Sequence, residues 1–286
     1  MRLRKGHLLL LEILTAFLFV LIFSPFYILI VNAFKGRFQV LTDVLGLPTD
    51  WAQIGANLKA VLASPNLKFW SSATSSVIIT VLSLLVITLF SSMGAWALVR
   101  SKTRTSQWLF MMYVAAMVVP FQVVMLPLVA WMRMIQDATG LQVLRTYGGM
   151  IFAYLGFGSS LSIFLYHGFI KSIPLELEQA AAIDGCSRPQ VFFRIIRPML
   201  KPITVTVLVL NGIWIWNDYL LPLLMLGTGN EIQTLPIAIA GFVGSFVKQW
   251  ELIMLALVLA IIPVVIFYLI AQKHIIKGMV EGSLKG

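Results

Sequence analysis

The chain reads as an all-α integral membrane protein with six transmembrane helices, and three observations lead there. Of its 286 residues, 59% are hydrophobic and 11% are charged, whereas a soluble domain carries roughly 25% charged residues. Mean hydropathy is +0.94. Six apolar runs, at about 9–33, 71–98, 107–131, 147–170, 203–226 and 250–272, each reach the ~20 residues that a helix needs to cross a hydrocarbon layer about 30 Å thick. None shows the alternation of apolar and polar residues that marks a membrane β-barrel.

The first run follows Arg2, Arg4 and Lys5, as the apolar core of a signal peptide does. It is about twice the ~7–15-residue length of such a core and has no clear small-residue cleavage site, so it is expected to remain as a span. The second run, 71–98, is expected to be a plain span. Pro120 and Pro127 lie seven residues apart in the third, on one helical face. The carbonyls they free need partners or a water-lined path, which predicts a kinked, cavity-lining helix. The fourth run contains Gly156-Phe157-Gly158-Ser159-Ser160, which suits close packing more than a binding site. In the fifth, Asn211, Trp214 and Asp218 fall at i, i+3 and i+7 with Asn217 beside them, and a carboxylate in a bilayer must face a cavity or a partner. The sixth run, 250–272, completes the set.

Lysine and arginine placement sets the orientation. With the N-terminus inside, the inner segments hold Arg2, Arg4, Lys5, Arg100, Lys102, Arg104, Lys171, Arg188, Arg194, Arg197, Lys201, Lys273, Lys277 and Lys285. The outer ones hold Lys35, Arg37, Lys59, Lys68, Arg133, Arg145 and Lys248. Both termini are then expected to be cytoplasmic. The +10 net charge lies in juxtamembrane patches, which suit anionic membrane lipid and need no nucleic acid. Cys186 is the single cysteine, so neither an intrachain disulfide nor a multi-cysteine zinc site is available. His7, His167 and His274 are scattered near span ends, and no metal is assigned. No phosphate-binding loop, H-E-x-x-H or G-x-S-x-G motif occurs, so the chain is expected not to be an enzyme.

The segment at about 171–202 is the longest basic loop and reads as two short helices. Pro174 suits the first turn of one, with Glu176 and Glu178 at the positive end of its dipole and Gly185 as its stop. Ser187-Arg188-Pro189-Gln190 has the form of a capping box and opens the second. There Phe192, Ile195, Ile196 and Met199 share one face, with Arg194, Arg197 and Lys201 on another. Ala180, Ala181 and Ala182 would let the first helix enter a partner's groove closely. The plainer reading is an amphipathic helix resting on the inner leaflet.

The order Glu178, Gln179, Ala180, Ala181, Asp184, Gly185, then Phe192, Ile195 and Pro198, resembles the E-A-A–x3–G motif of permease subunits of binding-protein-dependent ABC importers. Gln179 stands where that motif usually has Glu, with Glu178 just before it. The resemblance covers nearly the whole chain and is most like the second permease of carbohydrate importers of the maltose-transporter type. Val119-Pro120-Phe121-Gln122 and Trp216-Asn217-Asp218-Tyr219-Leu220 point the same way. It implies a type I importer permease fold in one domain, 1–286, with the 174–185 helix coupling it to an ATPase. It also implies a second, different permease, two ATP-binding subunits that hold ATP and Mg, an extracytoplasmic sugar-binding protein, and a bacterial or archaeal inner membrane. No cofactor is expected on this chain.

Gln122, Asn211, Trp214, Asn217 and Asp218 are the candidate substrate-path residues, because hydroxyls want donors and acceptors while sugar C–H faces stack on aromatic rings. Intramembrane Asn and Asp also serve as interhelical glue, and the partner permease is the other candidate for holding the sugar. Three rival readings remain: an ABC permease for a non-sugar solute, an ion-coupled secondary transporter with Asp218 and Glu12 as its carboxylates, and a membrane scaffold.

Overall fold

The computed structural model describes residues 5–245 and 249–283. Among them no strand forms. In chain order the helices are α1 Lys5–Ala33, α2 Arg37–Thr42, α3 Gln53–Leu62, α4 Phe69–Arg100, α5 Arg104–Ala116, α6 Phe121–Thr139 and α7 Tyr147–Lys171. There follow α8 Glu176–Ile183, α9 Arg188–Val191, a π-helical turn Phe192–Ile196, α10 Arg197–Met199, α11 Lys201–Asn217, α12 Leu220–Leu226, α13 Leu235–Ser245 and α14 Trp250–Ser283. Within α1, α4, α7 and α14 lie stretches long and apolar enough to cross a membrane, and the number reaches six if each of two sharply bent pairs is one span.

Those bends correct the expected third run. Instead of one kinked helix over 107–131, α5 ends at Ala116 and α6 starts at Phe121, at 109° to it. Pro120 lies at the break because it has no N–H to give and its ring disfavours helical geometry at Val119. Pro127, by contrast, is carried inside α6. The fifth run also divides: Asp218 has extended backbone, with ψ at 128°, between α11 and α12. The second bent pair, 75° apart, joins 188–199 to α11.

The chain divides into two compact units, residues 1–70 with 238–263 and residues 71–237 with 264–286. In the first, residues 8–23 of α1 are exposed without exception. Beyond that helix the chain is organised around Lys35, read from the sequence as an outer-loop residue but fully buried. Its Nζ donates to Asn32 Oδ1 at 3.1 Å, to the Asp43 carbonyl at 2.6 Å and to that of Val44 at 3.3 Å. Asn57 Nδ2 closes the ring by donating to the carbonyls of Ala33 and Lys35 at 3.0 and 2.9 Å. A buried ammonium is tolerable because oxygen acceptors surround it.

In the second unit α7 is central, packing on α5, α11 and α12. Tyr154, Ile163, Tyr166 and Ile170 of α7 are buried there. Polar ties fix the helix pairs: Tyr166 Oη donates to Thr204 Oγ1 at 3.0 Å, and Asn211 Nδ2 donates to Ser162 Oγ at 3.0 Å. Arg145, at φ +63°, donates its backbone N–H to the Met225 carbonyl and its Nε to that of Leu226. The small-residue stretch in α7 splits in role. A Cβ on Gly158 would come within 2.6 Å of Ile87 Cδ1 and 2.8 Å of Asn211 Oδ1, whereas one on Gly156 would meet nothing within 4 Å.

That difference yields a paired test. Gly158→Ala must displace Asn211 from Ser162 and is expected to destabilise the chain by about 1–3 kcal/mol, seen as a lowered Tm in detergent. Gly156→Ala, which meets no neighbour, should not lower Tm.

Candidate functional site

The loop that follows α7 is held in place by one buried acid. Glu178, in the first turn of α8, is 9% exposed. Its Oε1 accepts from Arg100 Nε at 2.7 Å and its Oε2 from Trp96 Nε1 at 3.0 Å. Arg100 also donates through Nη2 to the Ile173 carbonyl at 3.1 Å, and Trp96 packs its ring 5.5 Å from that of Phe192. The end of α4 thus grips the entry to the loop and both of its helices. Arg100 with Glu178 is the one salt bridge among the described residues.

With Glu178 turned inward, the opposite side of α8 is bare. Ala181 is buried, while Gln179, Ala180, Ala182, Ile183 and Asp184 are exposed, Ile183 by 87%. Of the expected coupling residues, Glu178 and Ala181 therefore pack internally, and Gln179, Ala180 and Asp184 face outward with Ile183. Gly185 ends the helix at φ +82°, its N–H on the Ala182 carbonyl and the Cys186 N–H on that of Ala181. Few L side chains adopt that conformation, so Gly185 is required there.

Two local expectations change. Pro174 precedes α8 rather than joining its first turn, because the Leu175 carbonyl accepts from Glu178 and Gln179 and sets the start two residues later, at Glu176. The predicted apolar face ending at Met199 is also shifted: Val191, Phe192, Ile196 and Leu200 are buried and Met199 is exposed. The π turn adds a residue to the helical repeat and so passes the inner position to Leu200. Opening the second helix, Gln190 Oε1 accepts from the Ser187 N–H at 2.7 Å, as a capping box requires.

A cavity of about 600 Å³ lies among α5, α6, α7 and α11. Asn211 and Trp214 line it, with Phe121, Phe157, Gly156 and Ser160. The Trp214 ring meets Phe121 and Tyr154 edge-on, at 5.1 and 5.4 Å between centroids. Gln122, Asn217 and Asp218 do not line it. The helical face expected to join Asn211 to Asp218 is interrupted at Asp218, where one oxygen accepts from Tyr154 Oη at 3.0 Å and the other from the Leu220 N–H at 3.1 Å. That carboxylate holds a helix break together and satisfies the first N–H groups of α12. Asn217 is exposed and donates to the Ile213 carbonyl at 2.8 Å. Among the described residues no His, Cys, Asp and Glu cluster is placed to hold a metal ion.

Trp96, Arg100 and Ile183 escaped the sequence reading. Ile183 had a signal, since a large apolar residue beside the helix-ending Asp184-Gly185 stands outside any buried face. Arg100 and Trp96 had none, being 78 and 82 residues from Glu178.

Removing one partner of the clamp leaves the other desolvated. Glu178→Gln is expected to destabilise by about 2–3 kcal/mol, the lower end for a buried pair because Arg100 is partly exposed. Arg100→Lys should not restore full stability, since one ammonium cannot meet Glu178 and Ile173 together. Tm of the purified chain checks both.

Residues 89–281 match the family described as Binding-protein-dependent transport system inner membrane component. The chain is 44% identical to a protein of Thermoanaerobacterium thermosulfurigenes described as "Probable starch degradation products transport system permease protein AmyC", over 99% of each chain. To MsmG of Streptococcus mutans, described as a "Multiple sugar-binding transport system permease protein", it is 33% identical over 93% of each. A solved bacterial ABC transporter, described as involved in import of the acidic polysaccharide alginate, shares the fold at TM-score 0.80 and 21% identity, over 96% of this chain and 98% of that one. The helices that cradle Glu178 and the cavity therefore belong to a known multi-pass architecture, and this chain is a member of the binding-protein-dependent transport system inner membrane component family.

Proposed function

We propose that this chain is a permease subunit of an ATP-driven sugar importer. It spans the bacterial or archaeal inner membrane six times, each bent pair counting as one span, with both termini cytoplasmic. A second permease completes the path, two ATP-binding subunits that hold ATP and Mg dock on the loop side, and an extracytoplasmic binding protein delivers the sugar. Starch-product and multiple-sugar permeases as relatives support the sugar class.

The observation that carries the reading is the two-sided helix α8. Its inner side is bonded to α4 through Glu178, and its outer side presents Gln179, Ala180, Ala182, Ile183 and Asp184. A helix so held moves with α4 and offers small residues and one isoleucine to a groove on the ATPase. Closure of the ATP-binding subunits would then displace α8 and α4 together and alternate access to the path. Glu178 is engaged inside the chain, so the outward polar contact falls to Gln179. Asn211 and Trp214, on the cavity, are the candidates from this subunit to meet sugar, with the indole for a C–H face.

Substitutions on the outer side test this, because they touch no internal packing. Ile183→Asp and Ala180→Trp are expected to leave Tm unchanged while abolishing co-purification of the ATP-hydrolysing subunit and sugar uptake. Uptake at the parental rate in both variants would defeat the proposal.

A further inference from the structure

Where α4 and α7 end and α5 begins, beside the loop, the second unit holds a cavity of about 530 Å³ that the coupling role leaves unused. Lys102 and Lys171 line it and also line an adjoining cavity of about 360 Å³. Neither lysine forms a salt bridge among the described residues, and no Asp or Glu lines the larger cavity. Its wall includes His167, 7% exposed, whose ring stacks on Phe110 at 3.6 Å between centroids. No hydrogen bond to His167 forms among the described residues, and its ring nitrogens are not among the sealed polar atoms without a partner, so the imidazole keeps an accessible edge for a ligand. Met111 lines the same cavity and is exposed beside Trp108 and Met112 on the outer side of α5.

We propose that this cavity binds the headgroup of an anionic phospholipid. Lys102 and Lys171, without a salt bridge among the described residues, and His167 line a cavity that would take the phosphate, and the apolar side of α5 continues from it as a bed for acyl chains. The volume lies in the ~300–1,000 Å³ range of small-molecule sites. Cationic pockets between spans at a membrane boundary have the chemistry that anionic headgroups need. A soluble anion would use the lysines equally well but would gain nothing from exposed Trp108, Met111 and Met112. The site is distinct from the outer side of α8, so it stands or falls separately from the coupling proposal.

The test uses the purified full-length chain with whatever subunits accompany it, in neutral detergent. Mixed micelles with phosphatidylglycerol or phosphatidylcholine are added, and retained lipid is read by native mass spectrometry and Tm. Phosphatidylglycerol should be retained and raise Tm, and phosphatidylcholine should do neither. The double variant Lys102→Gln with Lys171→Gln should retain about tenfold less, since each basic residue near an anionic headgroup contributes severalfold. Lys102→Arg with Lys171→Arg should retain it. Equal retention of both lipids, or retention unchanged in the glutamine variant, would overturn the proposal. So would an equal Tm rise with free glycerol phosphate, which would assign the site to a soluble anion. Loss of an ATP-hydrolysing subunit from the glutamine variant, with lipid retained, would make the lysines a protein contact instead.

Discussion

Hydrocarbon offers a polypeptide no hydrogen-bond partners, so every interruption of a helix in a membrane must be satisfied by the chain itself. This constraint accounts for several polar side chains at the helix breaks of the second unit, although the buried hydroxyls of Ser83, Ser91 and Thr234 have no partner among the described residues. The break before α12 is held by Asp218, one oxygen on Tyr154 and the other on a backbone N–H that begins the next helix. The break before α6 falls at a proline, which has no N–H to leave unpaired. Asn211 spends its amide on Ser162 and on the Val207 carbonyl. At Asp218 a side chain takes over from the backbone, whereas at Pro120 the break falls where one N–H is already missing.

The same economy shapes the loop. A basic segment between spans would be free to drift over the surface, but Glu178 anchors it to α4 with two hydrogen bonds that differ in kind, one from a guanidinium and one from an indole. The guanidinium then reaches Ile173, so one side chain fixes both the entry to the loop and its first helix. The tilted contact of the Trp96 ring with Phe192 extends the grip to the second helix. Rigidity here comes from three residues of α4 and α8 rather than from burial of the whole segment, and that leaves a large share of the loop surface available to a partner.

Much of this was legible in the sequence because the signals were local. Apolar run length gave the membrane class, Gly185 the end of α8, and Ser187 with Gln190 the start of the next helix. The E-A-A-like order singled out the loop whose outer side proves bare. Signals that depend on distant residues were not legible. Nothing near Glu178 announces Arg100, and nothing near Lys35 announces the carbonyls of Asp43 and Val44 that allow its burial. Helix periodicity also misled where the backbone left the α form: it carried Asp218 onto the face of Asn211 and Trp214, and it named Met199 where Leu200 is buried. Periodicity assumes an unbroken repeat, and two local backbone events, an extended residue and a wide turn, invalidated it.

The wide turn at Phe192–Ile196 has a further implication, for evolution rather than for transport. A segment wound with one surplus residue is a phase adjuster between α8 and α11. Deleting a single residue there would let the helix tighten to the ordinary repeat with its number of turns unchanged, so α8 and α11 would keep their relative phase, whereas a deletion in an α-helical stretch turns one side by about 100°. The surplus residue makes this short stretch more tolerant of losing one residue than the helices on either side. Lineages of this chain should keep Phe192 and Ile196 apolar and large, and should lose a residue here more readily than within α8 or α11.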